Sequence, residues 1–448
     1  MTTVTSDPIP DHGQGATPRP GNAPPYPASP SRSSHSIQDF FKWLGPGLIS
    51  GAADDDPTGI ATYAQAGART GYALLWTCLL TVPMMVAVQY MAAKVAVVHQ
   101  DGLSGVIREH YPRPLLYGAV IALMTANVIN AGADLGALAA ALNLILPVPA
   151  WVLVLPITLL ILGFLVLGSF RLIENTFKWL TLALLAYIGS AFLAHPDVSE
   201  VLRGTFIPTI HTNSEFLMLL LATLGGNVSP YLFFWQADLE VAGQRVRRVR
   251  HVSRLELTAD LQRVAWDTTT GMVFSNIIIY FIEIATAATL FMVGQRNVAS
   301  ASQAAEALRP LLGNGATLLW AIGMIGSGLL AVPALTGSVA DAVASTFGWP
   351  HGLDQKFARA RRFYLVLAIA MGLAMLINFL GMNPIRALVL AGAVNGIITP
   401  PLLVLLIRIA NMPDVMGDRV NGRWLNLAGW ATAATMSVVA VALLLSFL

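Results

Sequence analysis

Asp54, Asp55 and Asp56 stand in succession ahead of Pro57, Thr58 and Gly59, inside an apolar stretch that runs from near Phe41 to near Ala68. A second polar interruption, Gly225-Gly226-Asn227-Val228-Ser229-Pro230, falls inside the stretch from about Phe216 to Trp235. Two more acids lie in apolar surroundings: Asp134, which follows Asn127 and Asn130, and Glu283. No Lys, Arg or His sits beside these carboxylates. Acids gathered in apolar surroundings without a basic partner attract a cation or else hold protons. Hard divalent ions take carboxylate, carbonyl and water oxygens, whereas softer ones prefer thiolate or thioether. The two interruptions offer Asp side chains, the Asn227 amide, the Ser229 and Thr58 hydroxyls and freed backbone carbonyls, with no sulfur. None of the eight histidines, at 12, 35, 99, 110, 195, 211, 251 and 351, falls in the core of an apolar run, so imidazole ligation and a His proton relay are not expected there. An all-oxygen, net negative, wet site suits Mg²⁺ best and Mn²⁺ next.

Each acid also has a bland reading. Asp54 and Asp55 fit helix caps or solvent-facing carboxylates. Asp134 fits a hydrogen-bond partner between helices, and Glu283 fits a water-filled vestibule. Asp56, directly before Pro57, is the strongest candidate for metal contact.

The elements that position these residues follow from composition. The chain has 448 residues, 55% hydrophobic and only 11% charged, far below the roughly one quarter charged of a soluble protein. Spanning about 30 Å of hydrocarbon takes about 20 apolar residues per helix. Eleven runs qualify. After the interrupted first run come Ala73 to Val98, Leu115 to Leu146, Trp151 to Gly168 and Phe177 to Ala194; after the interrupted sixth come Met272 to Val293, Ala316 to Val343, Phe363 to Leu380, Ala387 to Ile407 and Leu425 to Leu448. This predicts an all-α membrane protein, in which each acid costs at least about 2.5 kcal/mol to insert and is a functional candidate by default. In lipid, a broken helix survives only where its freed backbone groups are buried in protein or line a polar cavity. Pro57 and Pro230 lie 173 residues apart, at corresponding places in two sets of five runs. Because five is odd, the second set enters from the opposite side, and matched breaks in inverted repeats point to a transporter's binding site. The expected organisation is repeat one at about 39–195, repeat two at about 214–408 and an extra helix at about 424–448.

Of the 26 Lys and Arg, five (Arg69, Arg203, Arg296, Arg309 and Arg386) fall on the outer side if the N-terminus is cytoplasmic, and the rest fall inside. That bias fixes the orientation, with the C-terminus outside. The basic stretch Arg245 to Arg263 becomes the cytoplasmic link between halves. The net charge of +2 is distributed by side rather than gathered into a face, so no nucleic-acid partner is implied. Cys78 is the sole cysteine, which excludes an intramolecular disulfide and a Cys-based metal site. Residues 1–35, rich in Pro, Ser and Gly, read as a disordered cytoplasmic tail, leaving 36–448 as the transmembrane domain. No His, Cys or Ser-based catalytic constellation is present, so an enzyme is not expected.

At these residues the chain resembles the NRAMP family of divalent-metal transporters. The likeness starts at Gly45-Pro46-Gly47 and runs through Asp56-Pro57-Thr58-Gly59, where typical members read Asp-Pro-Gly-Asn. Asp134, with Leu142-Asn143 eight residues on, matches a Glu of that family. Ala307-Leu308, Leu311-Leu312-Gly313, Ser327-Gly328 and Thr336-Gly337 keep the family's spacing. Met416-Gly417-Asp418-Arg419-Val420-Asn421 and Arg423-Trp424 are a close match. Four positions depart: Gly59 replaces a metal-ligating Asn, Ser229 the Met whose sulfur favours transition metals, Tyr231 a His, and Ala131 an Asp of the proton route. The pattern is similar to the NRAMP-related magnesium transporters.

The resemblance implies a LeuT-type fold with two inverted five-helix repeats plus an eleventh helix, and Ala53 and Gly226 supplying backbone carbonyls to the ion. Asp56 would anchor it, Asn227 and Ser229 would hold it or its waters, and Asp134 would widen the negative field; Asp54, Asp55, Thr58, Gly59 and Glu283 are secondary candidates. The expected function is import of Mg²⁺ and Mn²⁺ by alternating access as an uncoupled facilitator in a bacterial inner membrane, with no cofactor, the ion being the substrate, the bilayer a partner, and the oligomeric state left open with a monomer plausible. The rivals are a proton-coupled Mn²⁺/Fe²⁺ symporter and an amino-acid or organic-cation carrier of the same fold.

Overall fold

The computed structural model describes residues 45–167, 182–247, 254–298, 300–353 and 355–447. The expected tail, the start of the first apolar run, the first part of the fifth and the middle of the basic link lie outside the described residues. No strand occurs among the described residues.

The first run is two helices, α1 (Pro46–Asp54) and α2 (Pro57–Thr70). α3 (Trp76–His99) returns and is followed by the short α4 (Leu103–His110), α5 (Arg113–Asn143), α6 (Ala150–Leu167), α7 (Ala186–Leu193) and α8 (Val198–Phe206). The second half opens with another divided helix, α9 (Ser214–Asn227) and α10 (Pro230–Arg247). It continues through α11 (Arg254–Thr286), α12 (Ala316–Thr346), α13 (Arg361–Ile377), α14 (Pro384–Ile409) and α15 (Arg423–Leu445). Nine helices among the described residues, counting α9 and α10 as one, are long and apolar enough to cross a membrane. The divided first helix and α7, described only from its later part, stand where the other two spans were expected.

The packing sorts these elements into two groups. α5, α6, α12 and α13 pack on one another, while α1, α2, α3, α9, α10 and α11 form a bundle against them. Small residues permit the closest approaches. A Cβ added at Gly51 would lie 2.4 Å from the Gly271 carbonyl, and one at Gly225 would lie 2.3 Å from the Gly392 carbonyl. Large apolar side chains such as Leu159, Leu365 and Val438 remain exposed on the outer face, as lipid-facing positions should. The chain is an integral membrane protein of all-α architecture.

Candidate metal centre

Two prolines decide the breaks. A proline nitrogen carries no hydrogen, so the carbonyls four residues earlier, those of Ala53 and Gly226, lose their helical donor. The residue before each proline is also pushed out of the helical region. Asp56 accordingly takes an extended conformation with φ −74° and ψ 166°, and Pro57 begins α2 at the position that tolerates it. The second break is shorter than the sequence suggested: Gly225, Gly226 and Asn227 remain helical, and only Val228 and Ser229 separate α9 from α10.

Asp56 caps α2. Its Oδ1 accepts the Gly59 N–H at 2.6 Å, and its Oδ2 lies 3.2 Å from both Asn130 Nδ2 and the Tyr231 hydroxyl. Asp134 reaches the same helix end from α5, with Oδ1 accepting the Thr58 N–H at 3.0 Å and the Thr58 hydroxyl at 2.8 Å. Two carboxylates thus sit at the positive end of the α2 dipole, where negative charge is favoured. The Ser275 hydroxyl of α11 stands 2.6 Å from Asp54 Oδ2 and 3.0 Å from Asp55 Oδ1. Asp54, Asp55, Asp56 and Asp134 are only 2%, 1%, 4% and 0% exposed. A buried charge costs several kcal/mol unless compensated. Among the described residues, the hydrogen-bond partners these acids make are hydroxyls, amides and backbone N–H groups, never a basic side chain. Asp54 Oδ1, Asp134 Oδ2, Asn130 Oδ1 and Ser229 Oγ are buried without a protein partner. Oxygens of this kind in a native structure call for a ligand or water, and this donor set fits a hard cation.

The two breaks close on each other through a reciprocal pair of tyrosines. Tyr231, one residue past Pro230, donates its hydroxyl to the freed Ala53 carbonyl at 2.7 Å. Tyr63 of α2 donates to Asn227 Oδ1 at the end of α9, leaving Asn227 Nδ2 unpaired. The Tyr63 hydroxyl also covers Gly226, where an added Cβ would lie 3.1 Å from it. Asp54, Asp55, Asp56, Thr58, Gly59, Ala53, Gly226, Asn227, Ser229 and Asp134 are therefore gathered at the paired breaks or on their flanks. Glu283 is not. It belongs to the part of α11 that packs on Gly67, about 16 Å further along α2 than Asp56, and its Oε1 has no partner. The space left by Gly59 is also tighter than its side chain implies, because a Cβ there would lie 3.0 Å from the Tyr63 ring and 3.1 Å from the Asp54 carbonyl.

Four contributors escaped the sequence reading as site residues: Asn130, Tyr63, Tyr231 and Ser275. Asn130 was open to discovery, since it precedes Asp134 by four residues and shares its helix face. Ser275 carried no signal, being one of several hydroxyls in the run from Met272 to Val293.

Polar contacts join neighbouring helices at both ends of the divided first helix. At one end Arg69 of α2 pairs with Glu215 of α9, and its Nη2 donates to Asn297 Oδ1 at 2.9 Å. At the other, Asp267 of α11 accepts the Gly45 and Gly47 N–H groups at 3.2 and 2.7 Å, capping α1 from outside its own chain segment.

Paired broken helices around a buried polar centre, in a bundle with lipid-facing walls, define a membrane transporter and not an enzyme. Residues 47–446 match the Nramp family, described as natural resistance-associated macrophage protein-like, and the chain belongs to it. The chain is 27% identical over 418 residues to the divalent metal cation transporter MntH of Klebsiella pneumoniae (strain 342), covering 91% of this chain and 94% of that one. It is 26% identical over 413 residues to the MntH protein of Pectobacterium carotovorum subsp. carotovorum (strain PC1), covering 90% and 93%. Among solved structures it is similar to an Eremococcus coleocola manganese transporter, with a TM-score of 0.72 at 20% identity over 92% of this chain and 88% of that one. It also shares the fold of MhsT in complex with L-phenylalanine, with a TM-score of 0.57 at 14% identity over 90% and 97%. The fold is of the LeuT type.

Proposed function

We propose that this protein is a divalent-metal transporter that imports Mg²⁺, with Mn²⁺ as a second substrate, by alternating access and without proton coupling. The observation that carries this reading is the donor set at the paired breaks. Asp56, Asp134, Ser229 and Asn227 lie at the breaks or on their flanks together with the freed carbonyls of Ala53 and Gly226, and Ser229 replaces, by the family resemblance, a sulfur ligand that would select softer ions. Membership of the Nramp family and the names of the MntH relatives support the divalent-cation part. Mg²⁺ demands near-octahedral geometry at about 2.0–2.1 Å and gives up water reluctantly, so the ion keeps several waters while Asp56 anchors its charge. Binding uncovers the Ala53 carbonyl and Asn227 Oδ1 by withdrawing Tyr231 and Tyr63, each carried on the helix that follows a break. Asp54, Asp55, Thr58 and Gly59 shape the surroundings, and Glu283 stands outside the ion's immediate shell. In this reading the two inverted repeats, at about 39–195 and about 214–408, supply one broken helix each, and the helix at about 424–448 lies outside the repeat.

Uptake into proteoliposomes loaded with a Mg²⁺ indicator and a pH indicator tests the reading. Mg²⁺ entry without internal acidification is the expected result. Mn²⁺ entry accompanied by acidification, with Mg²⁺ neither entering nor competing, would instead establish the proton-coupled symporter.

A further inference from the structure

A second group of metal-ligating side chains lies away from the breaks, where α3 ends and α4 begins and ends. His99 is the last residue of α3, and Glu109 and His110 are the last two of α4. The left-handed Gln100, with φ 60°, turns the chain sharply enough to fold α4 back beside the end of α3. His99 Nε2 lies 2.9 Å from Glu109 Oε2, and the two imidazoles meet edge to face with centroids 5.6 Å apart. One ligand atom from each of the three residues falls within 4.8 Å of the others. His110 is oriented as well as near: its Nδ1 donates to the Val106 carbonyl at 3.1 Å, which leaves Nε2 with its lone pair free. Holding the far nitrogen of a ligating His on a backbone carbonyl is how metal sites fix the tautomer and aim the ring. Arg108, the nearest cation in sequence, is turned away to the Ser345 carbonyl at the end of α12.

We propose that His99, Glu109 and His110 form a second divalent-metal site, for a borderline transition ion of the Zn²⁺ class, separate from the transport path. Two imidazoles and a carboxylate are a donor set that Zn²⁺ takes at about 2.0–2.2 Å, with a fourth position left for water. Tetrahedral bonds of that length need ligand atoms about 3.4 Å apart, so binding adjusts the three side chains from their present separations of up to 4.8 Å. The bound ion staples the end of α4 to the end of α3. α4 in turn rests on α12 and α10, so the staple fixes a surface element packed on one of the two broken helices.

Titration of the purified full-length protein in detergent with Co²⁺ alone, followed by Zn²⁺ competition, tests this. The wild type should show the intense visible bands of four-coordinate Co²⁺, and Zn²⁺ should abolish them. His110→Ala and Glu109→Gln should remove the bands and weaken Zn²⁺ binding by more than the roughly 10-fold that loss of a supporting hydrogen bond costs. Asp56→Ala should keep them, because the central site is a separate one. Both altered positions lie on a solvent-facing helix end, and unchanged elution on size exclusion verifies folding. Only weak octahedral bands in the wild type, or full bands in the His99→Gln/His110→Gln double variant, would overturn the proposal.

Discussion

Asp56 performs two tasks that different substitutions separate. Its Oδ1 caps α2 through the Gly59 N–H, and its charge belongs to the buried acidic group. Asp56→Ala removes both, and loss of a cap costs about 1 kcal/mol, too little to unfold a protein of this size. Asp56→Asn keeps a capping oxygen and removes only the charge. Mg²⁺ uptake into proteoliposomes should fall by about 100-fold or more in both, the equivalent of at least about 2.7 kcal/mol of ion binding; recovery in the Asn variant would show that the cap matters and the charge does not. Ser229 tests ion choice. Ser229→Met introduces a thioether at a buried position whose present Oγ has no partner, so Mn²⁺ and Cd²⁺ should compete better against Mg²⁺ in the variant. Asp56 announced itself in the sequence because a carboxylate before a proline in an apolar run is costly unless used. Tyr231 stood out only as a departure from the resembled family and Ser275 not at all, since neither residue shows its contact until another helix brings it a carboxylate or a freed carbonyl.

The broken helices were legible at the element scale because proline acts locally: it removes one donor and displaces the residue before it, and both effects can be read from the chain. The extent of the second break was not. Gly225 looks like part of a turn in sequence, yet the structure keeps it helical and uses its missing side chain to bring α9 against Gly392 and Gly396 of α14. Which use a glycine serves depends on what packs against it, and that is a tertiary fact. The α1–α11 contact is of the same kind, with Gly47 and Gly51 against Thr268 and Gly271 and the end of α1 capped by Asp267. Asp267→Asn weakens two charge-assisted bonds that hold the start of α1. The variant should open this end more often while leaving the fold intact. A cysteine at Ser50, fully buried on α1, reports this through its rate of maleimide labelling, since the native Cys78 is itself buried. Labelling should speed up several-fold when Ser50→Cys is combined with Asp267→Asn, and an unchanged rate would mean that the cap does not restrain α1. At the opposite end Arg69→Gln removes the pairing with Glu215 and should slow the same labelling by favouring opening there.

Across the whole molecule, the acids of the centre and the basic residues of the connecting segments describe one electrical device. The centre gathers four carboxylates with no basic partner among the hydrogen bonds described, so it prefers positive charge, and the Lys and Arg bias would orient the chain as the sequence leads one to expect. A divalent ion crossing from outside to a negative interior gains about 4.6 kcal/mol per 100 mV, twice the single-charge value. That corresponds to an accumulation of roughly 2,000-fold at equilibrium, so uptake needs no second ion to be strongly directed. An inside-negative potassium diffusion potential imposed on proteoliposomes should therefore accelerate Mg²⁺ entry and raise its final level, while a pH gradient of equal energy should do neither. In Asp56→Ala liposomes both responses should be absent, which separates carrier flux from leak through the bilayer. Entry that ignores the potential but follows the proton gradient would place the driving force on a carboxylate that loads a proton together with the metal, with Asp134 and its unpartnered Oδ2 as the first residue to substitute.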